Sequence, residues 1–266
     1  MISPMKIAHI SDLHFFSPKI TFSHHFGKTL IGYVNAQLRR KNKFLTRHLD
    51  QCIASLIRDE IEVLIITGDF TTTADPMEFS MAKEFLKKVR DAEIKIYAVP
   101  GNHDAYTQKS FQEQMFAQMV GQTFTFSNEG IYHEKIHPHW DLILLDNTIL
   151  NKPLSANGLF PAAQKAPLEQ ILKNCTNVII ANHFPLQNKI AHHNLLNSEA
   201  LLEILKKCNG SVLYLHGHTH QTEYSNVDGK LHIFNSSETT VASRFTYHQI
   251  TLLDDIFSYK QVEYYD

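Results

Sequence analysis

Short apolar runs punctuate this chain, and most of them end in a small polar cluster. Runs rich in Ile, Val and Leu over 6–11, 61–67 and 94–99 are too short for helices and predict strands. Between the latter two, Phe79, Ala82, Phe85, Leu86 and Val89 recur at helical spacing over 77–90, with Pro76 suited to a first turn and Asp75 to its cap. A further helix over about 45–58 precedes the second strand. The second half repeats the scheme: strands over 140–146, 178–181 and 212–215, and helices near 162–173 and 198–207. Strands over 231–235, 245–253 and 257–264 follow, with turns at Asp228-Gly229 and Asp254-Asp255, so the chain should close with antiparallel pairing. No low-complexity linker divides the halves. The expected fold is a single α/β domain over 1–266: a four-layer α-β-β-α sandwich, two mixed sheets face to face with helices outside.

The clusters are Asp12-Leu13-His14, Gly68-Asp69, Gly101-Asn102-His103-Asp104, Asn182-His183 and Gly217-His218-Thr219-His220. Sites in α/β proteins gather beyond the carboxyl ends of strands, where loops aim side chains at one point. Asp12 and His14 should project to the same side of an extended segment, as should His218 and His220 around Thr219. Carboxylate plus imidazole suits Mn, Fe or Zn better than Ca or Mg. Asp69 closes a very apolar run, where a carboxylate must be paired or bind a metal, and one carboxylate can bridge two ions. The Asn102 amide oxygen ligates without adding charge, and Gly217 permits close backbone approach. His103 would contact a phosphate or protonate a departing oxygen, with Asp104 raising its basicity. His183 follows a strand and precedes Pro185; His216 suits packing better than ligation. Taken singly, each cluster has an ordinary structural alternative, such as a capping Asp, a Gly-Asn turn or a packed histidine. Their order after successive strands favours two divalent or trivalent metal ions side by side, the apparatus for hydrolysing a phosphate ester.

Composition narrows the surroundings of such a site. Lys and Arg number 25 against 27 Asp and Glu, so no global charge draws nucleic acid, and none is expected as a partner. Cys52, Cys175 and Cys208 are widely spaced and form no CxxC pair, which suggests reduced thiols in helices and neither a disulfide framework nor a zinc–thiolate site. With no visible secretory signal and no apolar run of roughly 18 residues, the expected location is the cytoplasm. One segment stands apart. From Leu13 through Leu49 there is no Asp or Glu, while Lys19, Lys28, Arg39, Arg40, Lys41, Lys43 and Arg47 alternate with Phe22, Phe26, Leu30, Ile31, Tyr33, Val34 and Leu38. This basic amphipathic insert, about 15–48, is long for a connection. It is read as a lid, an inert surface element or, over 19–47, a peripheral contact with an anionic membrane at its inner face.

The ordered series Asp-x-His, Gly-Asp, Gly-Asn-His-Asp, His and Gly-His-x-His resembles the calcineurin-like metallophosphoesterase superfamily, from Lys6 to beyond His220. Leu144-Leu145-Asp146-Asn147, Gly158-Leu159, Gln164 ahead of Leu168, and Gln221 are similar to its class III cyclic-nucleotide phosphodiesterase branch. The resemblance implies that Asp12, His14, Asp69 and His220 hold one ion and Asp69, Asn102, His183 and His218 the other, with His103 catalytic. It also implies that a hydroxide bridging the ions attacks phosphorus in line. Many relatives have two adjacent histidines where this chain has Asn182-His183, and the basic insert is longer than usual in that branch. The expected activity is a dinuclear-metal phosphohydrolase cleaving a phosphodiester of a small phosphorylated substrate, cyclic nucleotides being one class. An alternative uses the insert: hydrolysis at the membrane surface of a lipid-linked phosphodiester or pyrophosphate, as in the similar UDP-diacylglucosamine hydrolases, which typically carry Arg in place of His103. A non-catalytic scaffold is the contrasting class, although such relatives tend to lose the catalytic histidine.

Overall fold

The computed structural model describes residues 3–17, 46–121, 124–152, 155–190, 192–239 and 245–264. The basic stretch lies almost wholly outside these residues. Within them the chain is α/β, built on two large mixed sheets. The first has five strands in the order β13-β12-β1-β2-β3, where β1 is Met5–Ile10, β2 Val63–Ile66, β3 Lys95–Ala98, β12 Phe245–Leu253 and β13 Ile256–Tyr264. Here β1, β2 and β3 run parallel, and β12 and β13 add antiparallel strands at one edge. The second has six strands in the order β10-β11-β9-β7-β5-β4: Glu223–Asn226, Leu231–Asn235, Val212–His216, Asn177–Ala181, Trp140–Leu145 and Ile131–His137. A small ribbon pairs β6 (Gly158–Leu159) with β8 (Leu195–Leu196).

The pleat of the second sheet sorts its side chains by period two. Leu142, Leu144, Ile179, Ala181, Leu213 and Leu215 join a core that also takes up Ile7, Ile10 and Ile65 of the first sheet. Their neighbours Ile143, Leu145, Val178, Ile180, Val212 and Tyr214 face a second core. That core is shared with Leu168 and Leu172 of α5 (Ala162–Leu172) and with Leu201, Ile204 and Leu205 of α6 (Ser198–Leu205). Strands buried on both faces read as unbroken apolar runs, which is why they stand out in sequence. Each fully buried Leu or Ile stabilises the fold by about 1.5–3 kcal/mol.

Against the first sheet's core pack α1 (Thr46–Arg58) and α2 (Pro76–Asp91). The cap of α2 is as expected: the Asp75 carboxylate accepts from the Met77 N–H at 2.8 Å. Two short helices were not anticipated, α3 (Gln108–Gln112) and α4 (Met115–Val120), nor were strands β4 and β10. The three cysteines are buried and form no disulfide, but only Cys52 lies in a helix; Cys175 and Cys208 sit just past the ends of α5 and α6. No helix among the described residues is long and apolar enough to cross a membrane.

Candidate metal centre

Five strands end at one place. Asp12 and His14 follow β1, Asp69 follows β2, Asn102 and His103 follow β3, His183 follows β7, and His218 and His220 follow β9. The backbone at these exits is not extended, and this corrects the expectation for the Asp-x-His and His-x-His pairs. Asp12 (φ 54°), His14 (47°), Asp69 (54°), His218 (70°) and His220 (57°) all lie in the left-handed region. Backbone bonds from Asp12 N–H to the Gly68 carbonyl (3.0 Å) and from His14 N–H to the Asp69 carbonyl (2.8 Å) lock the first two exits together. Close approach then demands glycine: a methyl at Gly217 would overlap Ser11 Oγ and Asp12 Oδ2.

All seven ligand candidates converge. Asp12, His14 and His220 form one group, Asp69, His183 and His218 a second, and His14, Asp69 and His103 a third that links them. Asp12 Oδ1 stands 3.1 Å from His220 Nε2 and 3.5 Å from His14 Nε2, whose own separation is 3.2 Å. Asp69 Oδ2 lies 3.4 Å from His183 Nε2 and 3.8 Å from His14 Nε2, between the two groups. His183 Nε2 is 3.2 Å from the Asn102 amide oxygen and 3.1 Å from His218 Nδ1. Ligands bound about 2.0–2.2 Å from an ion stand roughly 3–3.5 Å apart, so these spacings suit metal ions in both groups. Asp12 Oδ1 is buried and faces the Nε2 atoms of His14 and His220, which can only accept when they carry no proton. It is an acceptor for which a cation is the fitting partner.

Groups behind the ligands select which nitrogen faces inward. The Nδ1–H of His183 donates to the Thr67 carbonyl (2.7 Å), and His220 Nδ1 pairs with the Glu238 carboxylate (2.7 Å), leaving both Nε2 atoms for the centre. Sequence reading missed Glu238, although it follows the end of apolar β11 much as the other clusters follow their strands. Electrostatics agree with this arrangement. Against the cost of burial, Asp12 pushes His220 up to about 10, with Glu238 assisting, and Asp69 pushes His183 up to about 9. The same histidines hold both carboxyls well below the usual range despite their burial. Without metal, protons on His183 and His220 take the place of part of the positive charge an ion would bring.

His103 lies at the edge of the centre, its ring 4.9 Å from that of His14 and stacked on Tyr106 at 5.5 Å. Asp104 does not pair with it, which overturns the expectation of a carboxylate raising its basicity. The Asp104 carboxylate instead accepts from the N–H groups of Phe70 (3.2 Å), Thr71 (2.9 Å) and Gly101 (2.9 Å) and from the Thr71 hydroxyl (3.0 Å). It ties the β2 exit to the β3 exit. Burial, together with the Asp69 charge, pushes it up to about 7. The partner of His103 Nδ1 is the Thr72 carbonyl, at 2.6 Å.

The family model for calcineurin-like phosphoesterases matches residues 5–222, spanning the five strand exits that carry the ligand candidates. The chain belongs to this family. Calcineurin-like phosphoesterases use dinuclear metal sites, and the protein is accordingly a phosphoesterase. It is 27% identical over 177 residues to the 3',5'-cyclic adenosine monophosphate phosphodiesterase of Haemophilus influenzae, a match covering 64% of this chain but 59% of that enzyme. It is also 27% identical over 261 residues to a probable cyclic nucleotide phosphodiesterase of Pseudoalteromonas sp., covering 93% and 82% of the two chains. A dimetal phosphatase from Danio rerio shares the fold, with a TM-score of 0.70 at 14% identity over 97% of this chain and 98% of that one.

Residues similar to the cyclic-nucleotide branch have structural employment here. The Asn182 amide donates to Asn147 Oδ1, the Asn147 amide donates to Gln164 Oε1 (2.7 Å), and Gln164 Nε2 donates to the Asp146 carbonyl (2.9 Å). Asn182 Oδ1 in turn accepts from the Phe184 N–H at 3.0 Å, so this buried amide chain braces the loop that carries His183.

Proposed function

We propose that the protein is a dinuclear-metal-dependent phosphodiesterase of small phosphorylated molecules, cyclic nucleotides being the substrate class to test first. The observation that carries this reading is the pair of ligand groups flanking Asp69, with the His103 ring at their edge. In this reading Asp12, His14, Asp69 and His220 hold one ion, and Asp69, Asn102, His183 and His218 the other. Mn, Fe or Zn suits the mixture of carboxylate, amide and imidazole. Bound there, two ions supply the charge that offsets phosphoryl oxygens and acidifies a water toward neutrality. The remaining work falls to the chain's own groups. A carbonyl only accepts, so His103 Nδ1 carries a proton and Nε2 is the atom that exchanges one with a leaving oxygen. Relatives bearing cyclic-nucleotide names support the substrate class.

A substrate panel with added Mn tests the reading. Bis-p-nitrophenyl phosphate and cyclic AMP should be hydrolysed well ahead of p-nitrophenyl phosphate. A preference for the monoester overturns a phosphodiesterase, and a preference for a UDP-linked sugar points to the lipid-linked substrates. We further propose a cytoplasmic protein whose basic 19–47 stretch meets anionic membrane. Sedimentation with anionic vesicles should weaken when Arg39, Arg40, Lys41 and Lys43 are neutralised, and unchanged binding sinks that contact.

A further inference from the structure

The Thr72 carbonyl accepts from His103 Nδ1, so whatever places that carbonyl places the proton on the ring. Asp104 anchors the preceding Phe70 and Thr71, and two further things hold the loop at Thr72 itself. One is backbone pairing with the β1 exit, including Thr72 N–H to the Phe15 carbonyl at 3.0 Å and the Thr72 hydroxyl to the His14 carbonyl at 3.0 Å. The other is a single carboxylate. Glu78, wholly buried in the first turn of α2, accepts through Oε2 from the N–H groups of Thr72 (3.1 Å), Thr73 (2.7 Å) and Asp75 (3.4 Å). Its Oε1 accepts from the Thr73 hydroxyl (3.2 Å) and the Ser17 N–H (3.3 Å). Capping a helix requires only the Asp75 contact at this position. Three of the other four go to Thr72 and Thr73 in the loop that pairs with His103, and the fourth to Ser17 beyond the β1 exit. A buried carboxylate with no cation beside it among the described residues is a costly way to cap.

The geometry points to Glu78 as a positioning residue for His103: its carboxylate pins the peptide bearing the Thr72 carbonyl and thereby fixes the tautomer of the ring. The inference rests on the reading of His103 as a proton-transfer group, but its structural half can be tested without any reaction. Glu78→Asp keeps the charge and withdraws it by one methylene, Glu78→Ala removes it, and Glu78→Gln retains an acceptor and serves as the conservative rescue.

In zinc-loaded, 15N-histidine-labelled protein, wild-type His103 should show a protonated Nδ1. Glu78→Asp and Glu78→Ala should shift it to a mixture of tautomers. With bis-p-nitrophenyl phosphate, kcat should fall about 10- to 100-fold while KM moves less than about threefold, and Glu78→Gln should recover most of the loss. Elemental analysis should find the metal content of all three variants unchanged. A wild-type His103 tautomer in Glu78→Asp overturns the inference whatever the turnover, as does a loss of rate that follows loss of metal. Should Glu78→Ala fail to fold, the aspartate variant decides alone. Full activity in His103→Ala would instead overturn the proposed proton transfer and leave the tautomer measurement to judge Glu78.

Discussion

Asp12, His14, Asp69, His218 and His220 hold φ between 47° and 70°, a conformation that costs an L residue roughly 1–2 kcal/mol. Five such residues around one point are strain concentrated where it does chemical work, since each turn redirects a side chain that an extended exit would send elsewhere. His103 stands at the edge of the centre with Nδ1 turned to the Thr72 carbonyl, and in the proposed reading it meets substrate and not an ion. His103→Ala should therefore retain both metals and lose about 10²- to 10⁴-fold in turnover. Turnover within a few-fold of wild type in a fully metallated variant would remove it from the reaction. Glu78 adds a pH signature. Burial pushes its carboxyl up from 4.5 to about 7, against the pull of the backbone donors around it. The folded chain then binds this proton more tightly than the unfolded one, so the stability it contributes falls as pH rises from about 4.5 to about 7 and levels off above. Urea unfolding should show the advantage of wild type over Glu78→Gln shrinking across that window; a constant difference contradicts it.

Elements place these residues, and the loops between elements limit how closely they approach. Gly217 carries β9 past Ser11 and Asp12 with no room for a side chain, so Gly217→Ala should displace the β1 exit. The expected result is loss of one or both ions on elemental analysis and at least about 100-fold lower turnover, since small misplacements at a reacting centre cost that much. Retention of two ions with full activity would mean the loops can yield. Strand identity was legible in sequence for β2, β5, β7 and β9 because burial on both faces leaves each a run of at least four apolar residues. β4 and β10 were not, since both alternate with or consist of exposed residues at the edges of their sheet. α3 and α4 are too short to show a period. The seven ligand types could be read from the clusters after strands, but not the backbone that aims them, because φ is set by neighbouring exits. Asp104 misled for the same reason: adjacency to His103 says nothing of its four partners on the β2 and β3 exits.

At the scale of the molecule the centre is a seam, with Asp12, His14, Asp69 and Asn102 coming from the first sheet and His183, His218 and His220 from the second. Ions held there join the two sheets at the ends of their central strands, and the unfolded chain has no such arrangement of ligands. Their binding free energy therefore adds to folding. With free metal at a thousand times the dissociation constant the gain is about 4 kcal/mol for each ion, and in a chain of this size each kcal/mol shifts the melting midpoint by about 2–4 °C. Stripping both metals with a chelator should thus lower the midpoint by roughly 15–30 °C, following the same two relations. Because both sheets supply ligands, the transition should move as a whole and not split into an early and a late step. Adding Mn or Zn should restore the midpoint, whereas Ca, which favours all-oxygen sites, should not. Protonated His183 and His220 partly offset the metal-free carboxylates, so the destabilisation should deepen as pH rises toward about 9–10 and those protons leave. An unchanged midpoint in protein shown by elemental analysis to be metal-free would mean the two sheets hold together without the ions, and the centre would then serve chemistry alone.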